Sequence, residues 1–388
     1  MADQFKPLEG IRVVEMSHMI MGPSCGMFLG FLGAEVIKVE PPEGDKTRHL
    51  TGMGSGFFPT FNRGKRSITL DLKSQAGRGA LDTLLSTADV FVENFRDETL
   101  AKMGFAPDSL RTKYPSLIVS SCKGFLHGPY ENRTAMDEVV QMMTGMAYMT
   151  GPTGRPLRIG SSANDIMGGL FGAFAVLGAL LQRGKDGDGH TIRVGLFENC
   201  LLLVAQHMVQ FDIEGREFSW PVYDIFETIE GRQIFIGAVT EGQWALLCNI
   251  LDLQELLTDL RLQTRMDQIN ARDWTIPIVS EAVRKSAFDD LVAAFEPAGI
   301  PFSPINRPAE MYEDPHVMRA GGLFTSHLPQ GGTCRAPGFP FEVDGAPAEA
   351  FGFDIPGIGD DTGDVLGALG LDEAAITAAR GSGGEERE

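Results

Sequence analysis

The stretch IRVVEMSHMIMGPSCGMFLGFLGAEVIKVE, residues 11–40, passes from a β-rich run through a helical pattern to a second β-rich run. Ile11–Glu15 and Val36–Glu40 have the branched apolar residues that favour strands, and Pro23–Leu32 between them has helical periodicity. A strand, a crossover helix and a second strand form the repeating unit of a parallel sheet. The stretch therefore predicts a sheet with helices packed on its faces.

The same alternation continues through the first third of the chain and predicts an α/β fold, a Rossmann-like arrangement around a parallel sheet. Sheets of this kind bind ligands at the carboxyl ends of their strands, so we expect the site there. The further predicted strands are Ser67–Leu72, Val90–Glu93 and Leu117–Ser121, and the further predicted helices are Gln75–Ser86 and Glu98–Met103.

The pattern changes in the middle of the chain, where a strand at Ile192–Val194 and an apolar helix at Leu196–Phe211 lead into a smaller α+β unit at residues 220–325. A Gly- and Pro-rich stretch, 329–340, is interpreted as a linker that returns to the first domain. After it, Gly357–Gly381 predicts a pair of amphipathic helices, and we expect the polar residues beyond to be disordered. The small unit has a predicted strand at Gln233–Val239 and predicted helices near Glu241–Leu251, Thr275–Arg284 and Ser286–Phe295.

Composition narrows the class of protein. The 388 residues carry a net charge of −19, which argues against nucleic acid or an anionic membrane as a partner. The five cysteines are scattered and lack a CxxC pair, as in proteins of a reducing cytoplasm. We expect no signal peptide and a cytoplasmic location. No metal site is expected, and the longest uncharged stretch, Ile166–Leu181, is interpreted as a core helix.

Asp165 lies directly before that apolar stretch, among the small residues Gly160, Ser161, Ser162 and Ala163. Small neighbours allow backbone and substrate to approach a carboxylate closely. Asn164 or Asp165 could instead be the N-cap of the helix, which is the more common use of such residues. The position by itself leaves both interpretations open.

Three further segments are candidates for chemistry, and each has a plain structural explanation. The glycines at 22, 26 and 30 share one helix face and permit close packing. A nicotinamide site is the alternative, with Glu40 as its acid, although the spacing is not GxGxxG. The basic segment Asn62–Lys73 is either a solvated face or a turn that binds phosphate. Asp89–Phe95 ends a strand with a carboxylate, an amide and an aromatic ring that could line a cleft.

The motifs taken together resemble the class III coenzyme A-transferases, the family that includes formyl-CoA transferase and carnitine CoA-transferase. The resemblance runs over nearly the whole chain, and its motifs occur in one order. They are Gly22-Pro23, Glu35–Pro41, Gly44-Asp45 with Arg48, Asn62–Lys73, Ala88–Phe95, Gly124 with Gly128–Tyr130, Asp137 with Gln141, the Asp165 segment and Gly357–Gly370.

The resemblance implies an interlocked homodimer in which each chain passes through a ring made by the other. It divides the chain into a large domain at 1–200, a small domain at 220–325 and a C-terminal part, 335–388, that returns to the large domain. Acyl-CoA and a small carboxylic acid are the implied partners, with no permanently bound cofactor. Asp165 matches the catalytic aspartate, and the positions that match CoA contacts are Ile20, Met21, Leu70, Asp71, Leu72, Lys73, Asn94, Phe95, Arg96, Lys102, Met136 and Asp137.

The chain departs from its relatives at several positions. Racemases of this fold use a histidine where Met136 stands, and the loss of that histidine removes one half of a two-base mechanism. Proton transfer of the α-methylacyl-CoA racemase type is the alternative function. A CoA-binding arginine of formyl-CoA transferase is Pro41 here, and Arg48 or Lys65 is the candidate replacement. Residues 225–233 lack the glycine-rich loop of that enzyme. His18, Arg48 and Arg158 could bind a second carboxylate on the substrate, which predicts a small dicarboxylate with succinyl-CoA as the donor.

Overall fold

The computed structural model describes residues 5–151, 154–213, 220–347 and 353–381. The chain forms two compact units, Met1–Met208 with Pro315–Glu388 and Val209–Asp314. We call them the large unit and the small unit. From the sequence we predict a large domain at 1–200, a small domain at 220–325 and a C-terminal part at 335–388.

A six-stranded parallel sheet forms the large unit, with strand order β3-β2-β1-β4-β5-β6. The register pairs Val14 of the central strand with Ile37 on one side and Phe91 on the other. The mixed α/β fold predicted from the sequence is thus confirmed, with each predicted strand present within a few residues. The strands are β1 (Arg12–Met16), β2 (Glu35–Glu40), β3 (Arg66–Thr69), β4 (Val90–Glu93), β5 (Ile118–Lys123) and β6 (Thr191–Gly195).

Helices cover both faces of this sheet because successive strand residues point to opposite sides and apolar residues at the middle of the strands are buried on both. Val14, Phe91 and Val119 face one core, and Val13, Val90 and Ile118 face the other. The helices up to the small unit are α1 (Met21–Phe31), α2 (Phe57–Phe61), α3 (Gln75–Leu85), α4 (Asp97–Met103), α5 (Pro107–Lys113), α6 (Asp137–Met143), α7 (Met146–Thr150), α8 (Ala163–Asp186) and α9 (Leu196–Ile213).

Helix α8 packs against α1 through glycines. A Cβ atom at Gly169 would lie 2.4 Å from the Ser24 Cβ atom and 2.7 Å from the Met21 carbonyl oxygen. In the described part of the chain, α8 is the one helix long and apolar enough to cross a membrane by length and composition. The core-helix prediction holds for one face of α8, since Ala173 and Val176 are buried. The opposite face is exposed at Phe174 and Leu181.

The small unit packs helices around an antiparallel three-stranded sheet of order β7-β8-β9. Trp244, Leu247 and Phe295 lie in its core with the buried strand residues. Strands β7 and β9 and helices α11 and α12 were not predicted, and α13 begins three residues earlier than expected. The elements are β7 (Val222–Glu227), β8 (Gln233–Ala238), α10 (Glu241–Ile250), α11 (Gln254–Thr258), α12 (Arg265–Asn270), α13 (Arg272–Arg284), α14 (Phe288–Ala298) and β9 (Phe302–Pro304).

The C-terminal part of the large unit differs from the prediction in one place. The stretch interpreted as a linker contains β11 (Thr333–Pro337), which pairs with β10 (Leu323–His327) as a hairpin. Gly331 and Gly332, with φ of 93° and 83°, form the turn of the hairpin. Glycines are also common in linkers, which is why the sequence pattern did not distinguish a hairpin from a linker here. The two predicted helices are present, and residues 382–388 lie outside the described part. The remaining elements here are β12 (Glu342–Val343), β13 (Ala346–Pro347), α15 (Thr362–Ala368) and α16 (Glu373–Arg380).

Candidate active site

A cleft of about 670 Å³ opens in the large unit where strands β1, β4 and β5 end. Its position agrees with the rule that parallel sheets bind ligands at the carboxyl ends of their strands. The wall is continued by the segment before α6 and by the start of α8. Lining residues are His18, Met19, Ile20, Met21, Phe57, Asn94, Phe95, Arg96, Asp97, Glu98, Thr99, Cys122, Lys123, Gly124, Glu131, Asn132, Arg133, Thr134, Ala135, Met136, Asp137, Glu138, Ser162, Asp165, Arg193 and Leu196.

Asp165 lies in the first turn of α8, on the wall of this cleft. The N-cap position belongs to Ser162, whose side chain makes no capping bond, so the interpretation of Asn164 or Asp165 as the cap was wrong. Asn164 is buried and its amide donates to the Leu196 carbonyl oxygen at 3.2 Å. Asn199 in turn donates to the Asn164 carbonyl oxygen at 2.7 Å, and the pair of amides ties α8 to α9. The Asp165 carboxylate is therefore free of a capping role.

The side chain of Asp137, the first residue of α6, is hydrogen-bonded to the first turn of α8. One of its carboxylate oxygens accepts a hydrogen bond from the Asp165 backbone N–H at 3.1 Å. The other accepts from the Gln141 side-chain amide. The Gln141 side-chain oxygen then accepts from the Ile159 N–H at 2.9 Å, which fixes the chain segment leading into α8. These contacts account for the Asp137 and Gln141 pair in the sequence motif.

The pKa of Asp165 is raised to about 7, first by burial and then by the negative charges of Asp137 and Glu138. Burial raises the pKa because a low-dielectric surrounding disfavours the ionised form. A helix N-terminus opposes this effect by favouring negative charge. Near neutral pH, Asp165 is thus divided between its acid and carboxylate forms, and the carboxylate is more basic than an ordinary aspartate. Such a group is suited to nucleophilic attack.

Basic side chains lie on the same wall, some with acids beside them. Lys123 Nζ is 2.8 Å from Glu93 Oε1 and 2.9 Å from Asp97 Oδ1. Arg193 Nη1 is 2.8 Å from Asp97 Oδ2, and Arg96 Nη2 donates to the Thr134 hydroxyl at 3.4 Å. Of these basic residues, the sequence motifs predicted only Arg96. Lys123 ends β5 and Arg193 lies within β6, and neither belongs to one of the sequence motifs.

The structure brings most of the predicted site residues to the cleft. Leu70–Lys73 follow β3, two strands away from β1 on the sheet, and do not line it. Leu70 is buried in the core, and the Asp71 N–H donates to the Ala379 carbonyl oxygen at 2.8 Å. Lys102 on α4 does not line it either, and CoA contact at these positions stays a prediction. Those that do line it are His18, Ile20, Met21, Asn94, Phe95, Arg96, Met136, Asp137 and Asp165.

Arg48 does not reach the cleft, contrary to the prediction that it could meet a substrate carboxylate. Its Nη2 is 2.6 Å from Glu40 Oε1, its Nε donates to Glu40 Oε2 at 2.7 Å, and its Nη1 donates to the Pro356 carbonyl oxygen. The guanidinium also lies 3.7 Å from the centre of the Phe58 ring. Glu40, which a nicotinamide site would use, is engaged in this pair. The nicotinamide alternative therefore lacks its acid.

Lys65, the other candidate to take over the role of the arginine that Pro41 replaces, is also paired within the chain. Its Nζ lies 2.6 Å from Glu15 Oε2 and donates to the Asn62 side-chain oxygen at 2.9 Å. Burial lowers the pKa of Lys65 to about 8. A Cβ atom at Gly26 would lie 1.9 Å from the same Glu15 oxygen, so one glycine of α1 makes room for this ion pair.

His18 and Arg158 differ in their access to the cleft. His18 lines it, and its backbone N–H donates to Asn94 Oδ1 at 3.1 Å. Burial is the main cause that lowers the pKa of His18, so the ring is neutral at pH 7 and offers no positive charge. Arg158 does not line the cleft, and its Nη1 lies 3.5 Å from Glu138 Oε1. It braces the loop before α8.

Comparison with known proteins agrees with this geometry. Residues 8–362 match the profile of CoA-transferase family III. An acyl-CoA transferase of Fusarium pseudograminearum is 32% identical over 97% of this chain and 88% of its own length. A succinate–glutarate CoA-transferase of Agrobacterium fabrum is 33% identical over 83% of this chain and 85% of its own. The crystal structure of a CAIB/BAIF family protein from Brucella suis, 31% identical, superposes with a TM-score of 0.83 over 94% of this chain and 100% of that one. The chain belongs to CoA-transferase family III and is a CoA-transferase.

Proposed function

We propose that the protein moves CoA from a small dicarboxylic acyl-CoA, succinyl-CoA in the first place, to a small carboxylic or dicarboxylic acid, with Asp165 as the covalent carrier. The observation that carries the proposal is the Asp165 carboxylate on the cleft wall, held by Asp137 and with its pKa raised to about 7. The Agrobacterium relative, named for succinate and glutarate, supports the dicarboxylate class.

The first step forms a bond between an Asp165 carboxylate oxygen and the thioester carbonyl carbon. The C–S bond breaks, CoA leaves as the thiolate, and a mixed anhydride remains on Asp165. The thiolate then attacks the Asp165 side-chain carbonyl carbon. This releases the donor acid as a carboxylate and leaves an aspartyl-CoA thioester.

The second half repeats these steps in reverse order. The acceptor carboxylate attacks the aspartyl-CoA thioester, gives a new mixed anhydride and frees CoA thiolate. The thiolate attacks the acceptor's carbonyl carbon, so the new acyl-CoA leaves and Asp165 is regenerated. The free energy of the thioester is kept throughout, provided that water does not reach the anhydride. The position of Asp165 at a helix N-terminus favours the negative charge that develops in each attack.

We also propose that the working form is a homodimer, interlocked as the family resemblance implies. Large apolar side chains are exposed on α6 to α9 of the large unit, and an exposed apolar surface often marks a protein–protein interface. Phe174 and Leu181 of α8 are 72% and 73% exposed. Other exposed members are Met142, Tyr148 and Leu202. A second copy of the chain would cover this surface.

Chemical trapping tests the covalent step. The protein is incubated with succinyl-CoA, quenched with hydroxylamine or borohydride, and digested for mass spectrometry. We expect the modification on Asp165, and we expect Asp165→Ala to lose both the modification and CoA exchange. An Asp165→Ala protein that still exchanges CoA would overturn the proposal. Racemisation of a 2-methylacyl-CoA without any acceptor acid would favour the racemase instead, although Met136 leaves Asp137 without a neighbouring histidine.

A further inference from the structure

The peptide group that joins Asn164 to Asp165 is hydrogen-bonded at both ends by side chains of other helices. Its N–H donates to Asp137 Oδ2 at 3.1 Å, and its carbonyl oxygen accepts from Asn199 Nδ2 at 2.7 Å. Asp137 begins α6, and Asn199 lies in the first turn of α9. The backbone directly before the proposed nucleophile is therefore held from two sides.

The two contacts differ in what they do for helix α8. Asp165 is the third residue of the helix, where an N–H group has no acceptor within the helix. Asp137, 28 residues earlier in the chain, supplies that acceptor. The Asn164 carbonyl is different, because helix geometry already offers it one donor and Asn199 adds a second. The Asn199 bond is thus not needed to complete the helix, and it restrains a peptide group that is already part of it.

The Asn199 side chain is itself held in place. Its Nδ2 atom also donates to the side-chain oxygen of Asn164. The Asn164 side-chain amide donates in turn to the carbonyl oxygen of Leu196, which lines the cleft. Asn164 and Asn199 are both buried, so these bonds are formed away from water, where a lost partner is not easily replaced.

Holding both ends of this peptide group limits the directions that the Asp165 side chain can take. A peptide group is planar, so restraining its N–H and its carbonyl together restrains the rotation of the whole plane. The Cα atom of Asp165 is attached to that plane, and the carboxylate follows it through two side-chain bonds. Nucleophilic attack is sensitive to such geometry, because the reacting atoms must approach within about 3–3.5 Å and in the right orientation.

We propose that Asn199 is a positioning residue, which fixes the Asn164–Asp165 peptide group and thereby aims the Asp165 carboxylate at the thioester carbonyl. The inference rests on the proposed function of Asp165 as the nucleophile. Asn199 does not line the cleft and belongs to none of the sequence motifs, so it acts through the backbone and not through the substrate. Unlike Asp137, it carries no charge, so its loss should change the rate of attack and leave the pKa of Asp165 in place.

The test measures single-turnover labelling of Asp165 by succinyl-CoA in Asn199→Ala and Asn199→Leu. The leucine fills nearly the same volume without a donor, so an equal effect of both changes separates the lost hydrogen bond from a cavity. At pH 8.5 and saturating succinyl-CoA we expect a rate about 10-fold lower than in the wild type. The half-saturating concentration should stay within about 2-fold, because Asn199 does not touch the substrate. The pH midpoint should remain near 7.

Gln268→Leu is the matched control. Gln268 is a buried amide of the small unit, and its Nε2 donates to the Leu262 carbonyl oxygen at 3.1 Å. This change also removes a buried amide donor from a backbone carbonyl. Its labelling rate should equal that of the wild type, and thermal melting shows that each variant is folded.

A double variant, Asn199→Ala with Asp137→Ala, tests whether the two residues act on one peptide group. At pH 8.5, where Asp165 is ionised, the combined loss of rate should be smaller than the product of the single losses, because releasing either end already frees the peptide group. Losses that multiply would contradict the shared peptide group and overturn the inference.

The outcomes separate the inference from the proposed function. A folded Asn199→Leu protein that labels Asp165 at the wild-type rate would overturn the inference and leave the proposed function standing. A loss confined to the half-saturating concentration would do the same, since it would indicate a role in binding. Absence of labelling at Asp165 in the wild type would overturn both.

Discussion

Asp165 and Asp137 meet at the start of α8, and each changes what the other can do. Asp137 accepts the Asp165 backbone N–H and so positions the helix, while its charge, after the larger effect of burial, helps to raise the pKa of the Asp165 carboxylate. Asp137 therefore both fixes the backbone position of Asp165 and makes its carboxylate more basic. The raised pKa should affect both the rate of the reaction and the stability of the fold.

The rate of Asp165 labelling by succinyl-CoA should rise with pH and reach half its plateau near pH 7, because only the carboxylate attacks. Asp137→Asn removes a negative charge and should move this midpoint down by about one pH unit. Glu138→Gln, which removes the third cause, should move it less. The measurement is the pH profile of single-turnover labelling. An unchanged midpoint in Asp137→Asn would contradict the assigned cause.

The raised pKa of Asp165 should also make the stability of the protein depend on pH. Between pH 3.8, the ordinary value, and about 7, the folded state keeps a proton on Asp165 that the unfolded state releases. The contribution of Asp165 to the free energy of unfolding thus falls as pH rises through this window, and it is lowest above pH 7. Asp165→Asn should be stabilising, by about 2 kcal/mol more at pH 8 than at pH 5.5. Urea denaturation at both pH values measures the difference, and a pH-independent gain would contradict the shift.

At the scale of elements, the contact between α1 and α8 places the nucleophile. The helices approach closely because Gly168, Gly169 and Gly172 have no side chains. Asp165 lies in the first turn of α8, so this contact also fixes the position of its carboxylate. The apolar run after Asp165 was enough to predict a helix. Its close packing on α1 could not be predicted, because it depends on residues about 150 positions apart, Ser24 with Gly169.

Gly169→Ala should disrupt this contact, since the added Cβ atom would lie 2.4 Å from the Ser24 Cβ atom and 2.7 Å from backbone oxygen. We expect a loss of about 2 kcal/mol in the free energy of unfolding, together with a lower labelling rate at Asp165 as α8 shifts. Gly79→Ala, on the exposed side of α3 and away from the α8 face, is the matched control. Nothing lies within 4 Å of its Cβ position, so it should be neutral or stabilising by about 0.5–1 kcal/mol. Equal effects of the two changes on melting and rate would contradict this account.

At the scale of the whole molecule, the exposed apolar face of α8 is the feature that a single chain does not explain. Phe174→Glu should reduce the dimer fraction and lower activity, because a charge on that face cannot be buried against a second copy. Leu260→Glu is the control, since Leu260 is 85% exposed and belongs to the small unit. Light scattering after size-exclusion chromatography measures the mass of both variants. A Phe174→Glu protein with unchanged mass would contradict the proposed dimer face.

The sequence by itself determined the parallel sheet, the helix after Asp165 and the family, because these depend on short-range periodicity and on motifs read in order. Only the tertiary structure decided which charged residues are paired within the chain and which are enclosed without a pair. Arg48 and Lys65 look as accessible in the sequence as Arg63 does. Folding brings Glu40 to Arg48 and Glu15 to Lys65, and it encloses Arg63 without a partner among the described residues. The physical reason is that burial and charge pairing are set by residues distant in the chain, whereas strand and helix patterns are local.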